Sequence, residues 1–247
     1  MDADWDFYAL LVEDRPASIF VDLHLAGRAP LSSAPTMAYV SVLMRAPRPD
    51  GLSSQEEFDD LVAVERSLEA AIQAQAHIIY AGRCTTAGCR DFYFYVAEPD
   101  AFDTAVGDAM MQHRDYRFDT GHRPDPAWSV YREFLYPGAR DMQRIQNRRV
   151  LAVLEEHGDR LDVPRWIDHR AYMPTPAAAE ALQIHLFELG YSIDTHADDD
   201  GEAVTVDFNR IDRPQEIEEV VIPIFDTVRS LSGTYDGWGC EVEKGAS

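Results

Sequence analysis

Asp168 and His169 lie side by side in the sequence, and an aspartate that orients a histidine is a common arrangement for general-base chemistry. The pair lies in PRWIDHRAYM (164–173), where the alternation of residue types predicts a β-strand. Neighbouring side chains of a strand point to opposite faces, so these two are not placed to bond each other. The sequence also lacks a Gly-x-Ser-x-Gly nucleophile motif. We therefore expect Asp168 and His169 to be structural and the protein to have no catalytic residues.

Cys84 and Cys89 form a Cys-x4-Cys pair across a predicted hairpin, and Cys240 is the third cysteine of the chain. Zinc sites use closer spacings and a second ligand pair, and the sequence offers neither. A cross-strand disulfide is geometrically conceivable, but a reducing cytoplasm disfavours it. The other histidines show no metal-ligand spacing. We expect unpaired, structural thiols, no metal site and no bound cofactor.

The segment DDDGE (198–202) places four carboxylates in a predicted hairpin turn, a composition that suggests calcium. It lacks the alternating oxygen ligands and the distant bidentate glutamate of an EF-hand loop. The pattern favours a solvated turn centred on Asp200-Gly201. The alternative is a contact patch for arginine or lysine side chains of a protein partner, formed by Asp198, Asp199, Asp200 and Glu202.

Phe92, Tyr93, Phe94 and Tyr95 form an aromatic run that would stack bases in an RNA-binding sheet. Few basic residues accompany the run, and the whole chain has a formal charge of −22, from 22 basic and 44 acidic residues. Such a charge disfavours contacts with nucleic-acid phosphates and with anionic membranes. We interpret the run as one aromatic pair in the core and one on an uncovered sheet face. The charge favours a protein partner with a basic surface and no direct binding of nucleic acid.

The N-terminal stretch MDADWDFYALL is acidic and has no positively charged region before its short apolar run, so we expect no signal peptide. No apolar run approaches the roughly 20 residues that span a bilayer. Three cysteines do not make a disulfide framework in a chain of 247 residues. We expect a cytoplasmic protein without membrane segments.

The order of the predicted elements divides the chain near Pro137-Gly138. After an opening pair of strands, the first half reads strand, helix, strand, strand, helix, strand. The second half begins with a helix and then repeats this order, which is typical of an antiparallel sheet with both helices on one face. We predict an α+β protein of two tandem ferredoxin-like modules, residues 1–140 and 141–247. The clearest predicted elements are the strands 37–45, 115–121, 164–173 and 234–243, the helices 55–75, 141–157, 176–189 and 214–231, and a helical turn or short strand within 129–138.

The last predicted strand contains Asp236, Gly237, Trp238 and Gly239. The two glycines permit a β-bulge or the close approach of another backbone. We expect Trp238 to pack on a helix with its N–H bonded to an acceptor, and Asp236 to hold the bend through nearby backbone amides. Direct contact of Trp238 with a partner is the alternative.

Residues from about 144 to 245 resemble the bacterial protein inhibitors of ribonuclease E, the regulator of ribonuclease E activity B (RraB-like) family. The first 140 residues resemble a bacterial domain of unknown function that is often fused ahead of the RraB-like one. The residues that carry these resemblances are Tyr235, Asp236, Gly237, Trp238 and Gly239 in the last strand, Asp168 and His169 in IDHRAYM, the acidic turn DDDGE, and the runs RDFYFYV (90–96) and WSVYREFLYP (128–137).

The resemblance implies a non-catalytic protein that binds an endoribonuclease of the ribonuclease E type and modulates its activity. An acidic, aromatic-bearing surface would then dock on a basic protein surface. The residues alone leave two alternatives open. One is a small-molecule-binding or hydrolytic module with a pocket between the two domains, and the other is a homodimer formed through an open sheet face.

Overall fold

The computed structural model describes residues 3–73, 78–197 and 203–244. The chain divides into two compact units, Met1–Pro137 (unit 1) and Gly138–Ser247 (unit 2). Proline and glycine are unfavourable inside helices, and the first helix of unit 2 begins directly after them, at Ala139. Among the described residues, no helix combines the length and the apolar character needed to cross a bilayer.

Both units combine helices with an antiparallel sheet, so the predicted α+β class is confirmed. In chain order the described residues form β1 (Trp5–Val12), β2 (Arg15–Asp22), β3 (Thr36–Leu43), α1 (Phe58–Gln73), β4 (Ile78–Thr86), β5 (Cys89–Val96), α2 (Pro99–Met110), β6 (Arg117–Pro124), α3 (Ala139–Glu156), β7 (Arg165–Met173), α4 (Pro176–Glu188), β8 (Ser192–Ala197), β9 (Val204–Asp212), α5 (Ile217–Ser230) and β10 (Thr234–Gly239).

The described part of unit 1 forms a six-stranded sheet in the order β1-β2-β4-β5-β3-β6, in which all neighbouring strands are antiparallel. The helices α1 and α2 pack together on one face of this sheet. Val40 of β3 and Phe92 and Phe94 of β5 point to these helices and are buried. Because strand side chains alternate, Tyr93 and Tyr95 point to the other face.

The second face of this sheet is covered at Tyr93 and Tyr95, so the prediction of an uncovered aromatic pair is wrong. The chain turns back after β6, and Trp128 stacks on Tyr95 with ring centroids 3.8 Å apart and an interplanar angle of 8°. Phe134 packs edge-on against Tyr93. Tyr95 is therefore fully buried. Large aromatic surfaces are expelled from water, and the aromatic segment that follows β6 supplies the cover.

This covering segment, residues 125–136, begins where β6 ends at Pro124, which is later than the predicted end of that strand at Gly121. Its central part, Val130–Leu135, is a short π-helix, so the predicted helical turn is confirmed and the alternative of a short strand is wrong. The strand is longer than predicted because β6 pairs with β3 along the whole length of β3.

Asp125 organises the start of the covering segment. Its carboxylate accepts hydrogen bonds from the hydroxyl of Tyr95 (2.7 Å), from the hydroxyl of Ser129 (2.7 Å) and from the N–H of Val130 (3.0 Å). Burial by itself raises the pKa of Asp125, but these donors stabilise the charged form and bring the pKa down to about 2. The carboxylate therefore stays ionised and ties the segment to β5.

The described part of unit 2 forms a four-stranded antiparallel sheet in the order β10-β7-β9-β8. Along β7, Ile167, His169, Ala171 and Met173 are buried and the residues between them are exposed, so the predicted alternation of this strand is confirmed. The helices α4 and α5 cover the buried face, and α3 packs against α5.

Candidate partner-binding site

The exposed side of the unit 2 sheet, opposite α4 and α5, is called the open face here. Trp166 is 55% exposed and its cross-strand partner Ile211 is 53% exposed, so one end of the open face is apolar. Exposed apolar side chains beside fixed polar groups are typical of surfaces that contact other proteins. On the two central strands the open face consists of Trp166, Asp168, Arg170 and Tyr172 of β7, paired with Ile211, Asn209, Asp207 and Thr205 of β9.

Hydrogen bonds fix the carboxylates of the open face. Arg170 forms a two-point ion pair with Asp207, with Nε donating to Oδ1 at 2.6 Å and Nη2 to Oδ2 at 3.1 Å. The hydrogen bond with Asp207 raises the pKa of Arg170. Asn209 donates to Oδ1 of Asp168 at 3.1 Å. A guanidinium–carboxylate fork has strong directional preference, so these side chains hold defined positions on the surface.

The strand β10 adds backbone but few side chains to the open face. Its ladder with β7 is interrupted by a β-bulge at Asp236. Gly237 then pairs with Arg170, and Gly239 pairs with Asp168, so both glycines lie on the open face. Gly237 has φ of +134°, a backbone conformation that strongly favours glycine. The result is a strip of bare backbone beside the charged residues of β7.

Trp238 lies between these glycines, pairs with the buried His169 and connects β10 to α3. Its indole N–H donates to Oδ1 of Asn147 at 3.0 Å, and Gln143 donates to the same oxygen at 3.0 Å. Asn147 is only 2% exposed, and its Nδ2 has no hydrogen-bond partner among the described residues. A buried amide normally satisfies its donors, so Asn147 is an exception that requires an explanation.

A groove of about 570 Å³ lies between α3 and the open face and passes over β10. Its size is within the roughly 300–1,000 Å³ that is usual for ligand-binding clefts. The lining residues are Gln143, Gln146, Asn147, Arg149 and Val150 of α3, Asp236, Gly237, Trp238 and Gly239 of β10, and Asp168, His169, Arg170 and Asp207 of the two central strands.

Two family models match the chain. The model described as "Family of unknown function (DUF695)" matches residues 3–136, which is more than half of the chain. The chain belongs to the DUF695 family. The model described as "Regulator of ribonuclease activity B" (RraB) matches residues 144–240 of this DUF695 protein. Both resemblances inferred from the sequence are therefore confirmed, and the open face lies within the RraB region.

No curated protein matches this DUF695 chain. Among solved structures it is similar to an unknown protein from Galdieria sulphuraria, with 9% sequence identity, coverage of 82% of this chain and 96% of that chain, and a TM-score of 0.24. It is also similar to a protein from Bacteroides thetaiotaomicron, with 10% identity, coverage of 83% and 94%, and a TM-score of 0.20. Neither similarity carries an argument about fold or function.

His169 is a buried structural group of the RraB region. It is 3% exposed, stacks on Phe208 at 5.0 Å, and its Nδ1 lies 2.7 Å from the hydroxyl of Tyr235. Burial, and after it the positive charge of Arg210, lower the pKa of His169 to about 3. His169 is therefore neutral near neutral pH, whereas Asp168 is exposed on the opposite face. The two residues form no acid–base pair.

The cysteines of this DUF695 protein are free thiols, and all of them lie in the described residues. Cys84 is buried, and burial raises the pKa of its thiol to about 12. Burial also raises the pKa of Cys89. Thiolate chemistry is suppressed at both positions, because only the deprotonated form is a nucleophile or a metal ligand. Within the described ranges, no group of histidine, cysteine and acidic residues could hold a metal ion.

The structure brings some of the sequence-selected residues of the RraB region together and leaves others outside its description. Gly237, Trp238 and Gly239 meet Asp168 at the groove, with Asp236 at the bulge, while Tyr235 is buried against His169. The acidic turn residues proposed as a contact patch, Asp198, Asp199, Asp200 and Glu202, lie outside the described residues.

Sequence reasoning missed the α3 side of the groove. Gln143 and Asn147 bond to each other, and Asn147 bonds Trp238, which is far away in the sequence. No local pattern signals that contact. The prediction that Trp238 packs on a helix and that its N–H needs an acceptor was the one available indication.

Proposed function

We propose that this protein is a non-catalytic regulator that binds a protein partner through its RraB region and modulates it. The match of residues 144–240 to a family of ribonuclease regulators carries the proposal. The open face supports it, because it offers exposed apolar groups and fixed carboxylates for protein contact. The partner we propose is an endoribonuclease of the ribonuclease E type, met in the cytoplasm.

The charge of the chain supports a basic docking surface on that partner. The formal charge is −22, and Asp168, Asp207 and Asp236 lie around the groove. Complementary charges on two proteins speed their association and fix their orientation. The negative charge of this chain also repels nucleic acid. The regulator would therefore contact the nuclease and not its RNA substrate.

The strand orders support two ferredoxin-like modules as the scaffold. From β7 onward, unit 2 follows the succession strand, helix, strand, strand, helix, strand. If these four strands are numbered in chain order, they lie side by side in the sheet as fourth, first, third and second. The strands β3 to β6 of unit 1 have the same relative order, and β1 and β2 extend that sheet at one edge. We infer a module on each side of Pro137-Gly138, and the RraB-type module carries the docking surface.

A direct test combines binding and activity with purified components. A ribonuclease E-type endoribonuclease is titrated with this protein while cleavage of a fluorogenic RNA is followed, and binding is measured by calorimetry at several salt concentrations. We expect a saturable change of the cleavage rate and binding that weakens as salt rises, because salt screens charge complementarity. Unchanged cleavage together with no binding at micromolar concentrations would exclude the nuclease as partner.

A further inference from the structure

Gly239 is a glycine that the fold itself does not require. Its φ lies outside the left-handed region, and a Cβ atom added there would meet no described atom within 4 Å. Packing does require glycine elsewhere. A Cβ at Gly121 would lie 2.7 Å from the ring of Tyr39, and one at Gly233 would lie 2.6 Å from Sδ of Met173. Open space above Gly239 is therefore a feature of the surface rather than a consequence of core packing.

The free space continues along β10. A Cβ at Gly237 would also meet no described atom within 4 Å, although its φ of +134° requires glycine for another reason. With Asp168 and Arg170 projecting from β7 beside them, the two glycines form a trough in the open face. Glycine in a strand often marks a place where another backbone approaches closely.

The α3 side of the groove provides an independent indication of a ligand. Asn147 lines the groove and is 2% exposed, and its Nδ2 donor has no partner among the described residues. Its Oδ1 is already used by Trp238 and Gln143. Side-chain donors bond mostly to backbone carbonyls or to water, so a peptide carbonyl or a water that reached this buried donor would satisfy it.

We propose that this groove is the docking site for an extended segment of the partner protein that carries arginine or lysine side chains and lies over Gly237 and Gly239. The proposal rests on the proposed function and adds the location of the site and the chemistry of the bound segment. The bare backbone accommodates the main chain of the segment, while the half-buried Trp238 pairs with His169 on the opposite face and ties this part of β10 to Asn147 of α3.

The charges that line the groove favour a basic segment over an acidic one, because the carboxylates outnumber the arginines. Three carboxylates line the groove, Asp168, Asp207 and Asp236, and Asp168 and Asp236 are exposed. Of the two arginines that line it, Arg170 is held in the two-point ion pair with Asp207. The side chains of a basic segment would find Asp168 and Asp236 within the groove, and an acidic segment would meet both as repulsive neighbours.

The test uses the full-length chain and a fluorescein-labelled decapeptide of alternating arginine and serine, with a glutamate–serine peptide of equal length for comparison. Fluorescence anisotropy measures binding to the wild type and to Gly239→Ala and Gly239→Leu variants. We expect the arginine peptide to bind and the glutamate peptide not to bind. Gly239→Ala weakens binding of the arginine peptide, and Gly239→Leu weakens it by about tenfold or more, because both side chains occupy the trough.

The matched control is Gly107→Leu, an exposed glycine of α2 where an added Cβ also meets no described atom within 4 Å. This variant leaves the net charge unchanged, as Gly239→Leu does, so a general attraction of the peptide to the acidic chain predicts equal binding by both. Circular dichroism verifies that each variant is folded. Equal affinity of wild type and Gly239→Leu for the arginine peptide, or no preference over the glutamate peptide, overturns the groove proposal.

The same variants separate this proposal from the proposed function. If the endoribonuclease binds wild type and Gly239→Leu equally well, the groove is not its docking site and the regulatory function stands. If the arginine peptide binds and depends on Gly239 but the endoribonuclease does not bind, the groove proposal stands and the nuclease is the wrong partner.

Discussion

His169 shows how a residue selected for its chemistry can act only through stability. It stacks on Phe208, faces Tyr235 and is almost completely buried. Strand alternation alone separates it from Asp168, so the absence of a catalytic pair followed from the sequence. Its contact with Tyr235 did not, because that contact joins β7 to β10, and no local pattern fixes the pairing of distant strands.

We expect the free energy of unfolding to fall as pH is lowered, in part because of His169. The unfolded state takes up a proton on this side chain below its ordinary pKa of about 6.5. The folded state does so only near its lowered pKa of about 3. Between about pH 7 and about pH 5, this difference removes about 2 kcal/mol of stability. Urea unfolding at the two pH values measures it.

The matched variant for this test is His169→Phe, which keeps an aromatic ring against Phe208. It is less stable at neutral pH, because the Tyr235 hydroxyl loses its partner, but it lacks the histidine contribution to the pH dependence. Identical losses of stability in wild type and His169→Phe between the two pH values would contradict a neutral buried histidine.

The covering segment, residues 125–136, is the element that sequence patterns described least well. Strands and amphipathic helices have periods that can be read locally, and α1 and α4 lie within a few residues of their predicted bounds. The covering segment has no such period. Trp128 has φ of +57°, which is rare for a bulky residue, and stacking on Tyr95 holds it there. Only tertiary contacts determine its conformation.

We expect Asp125→Ala to lower the free energy of unfolding of unit 1 by about 2–4 kcal/mol, because several donors lose a charged acceptor. Thermal unfolding followed by near-ultraviolet circular dichroism, which reports the packing of Trp128, measures the effect. The stabilisation by Asp125 is present above the unfolded carboxyl pKa of about 3.9 and is lost as pH falls toward about 2.

Asp119→Ala is the control for this experiment, because Asp119 is exposed on β6 and, among the described residues, accepts one long hydrogen bond, from the hydroxyl of Tyr39 at 3.3 Å. Its removal should change stability by less than about 0.5 kcal/mol. Equal effects of the two substitutions would show that Asp125 does not anchor the covering segment.

At the scale of the whole chain, each unit has a core of its own. The buried cluster around α1 and α2 is built from Ala38 to Tyr116, and the cluster around α4 and α5 is built from Ile167 to Tyr235. The order of predicted elements was sufficient to propose two α+β units, because the strands and helices of each half are enough to form one complete sheet with its helices. The groove could not be proposed, since it depends on how α3 lies against β10.

Residues 138–247 should therefore fold as an isolated fragment. We expect a single cooperative urea transition by circular dichroism, because the core of unit 2 lies entirely within the fragment. Leu182→Ala, at a fully buried position, should lower the stability of the fragment by about 2–5 kcal/mol, whereas Ile184→Ala, at a position that is 58% exposed, should change it little. A fragment without a cooperative transition would contradict an independent core.

The hydroxyl of Tyr8 donates to the backbone carbonyl of Leu135 at 3.0 Å, and that of Tyr131 donates to the carbonyl of Asp22 at 2.8 Å. These bonds join the first residues of unit 1 to its last ones. During synthesis on the ribosome, the hairpin of β1 and β2 therefore emerges long before the covering segment that it contacts. Until Leu135 has left the exit tunnel, Tyr95 and its neighbours remain exposed on a half-finished sheet. Synthesis of the covering segment therefore removes an exposed aromatic surface that would promote aggregation of the nascent chain.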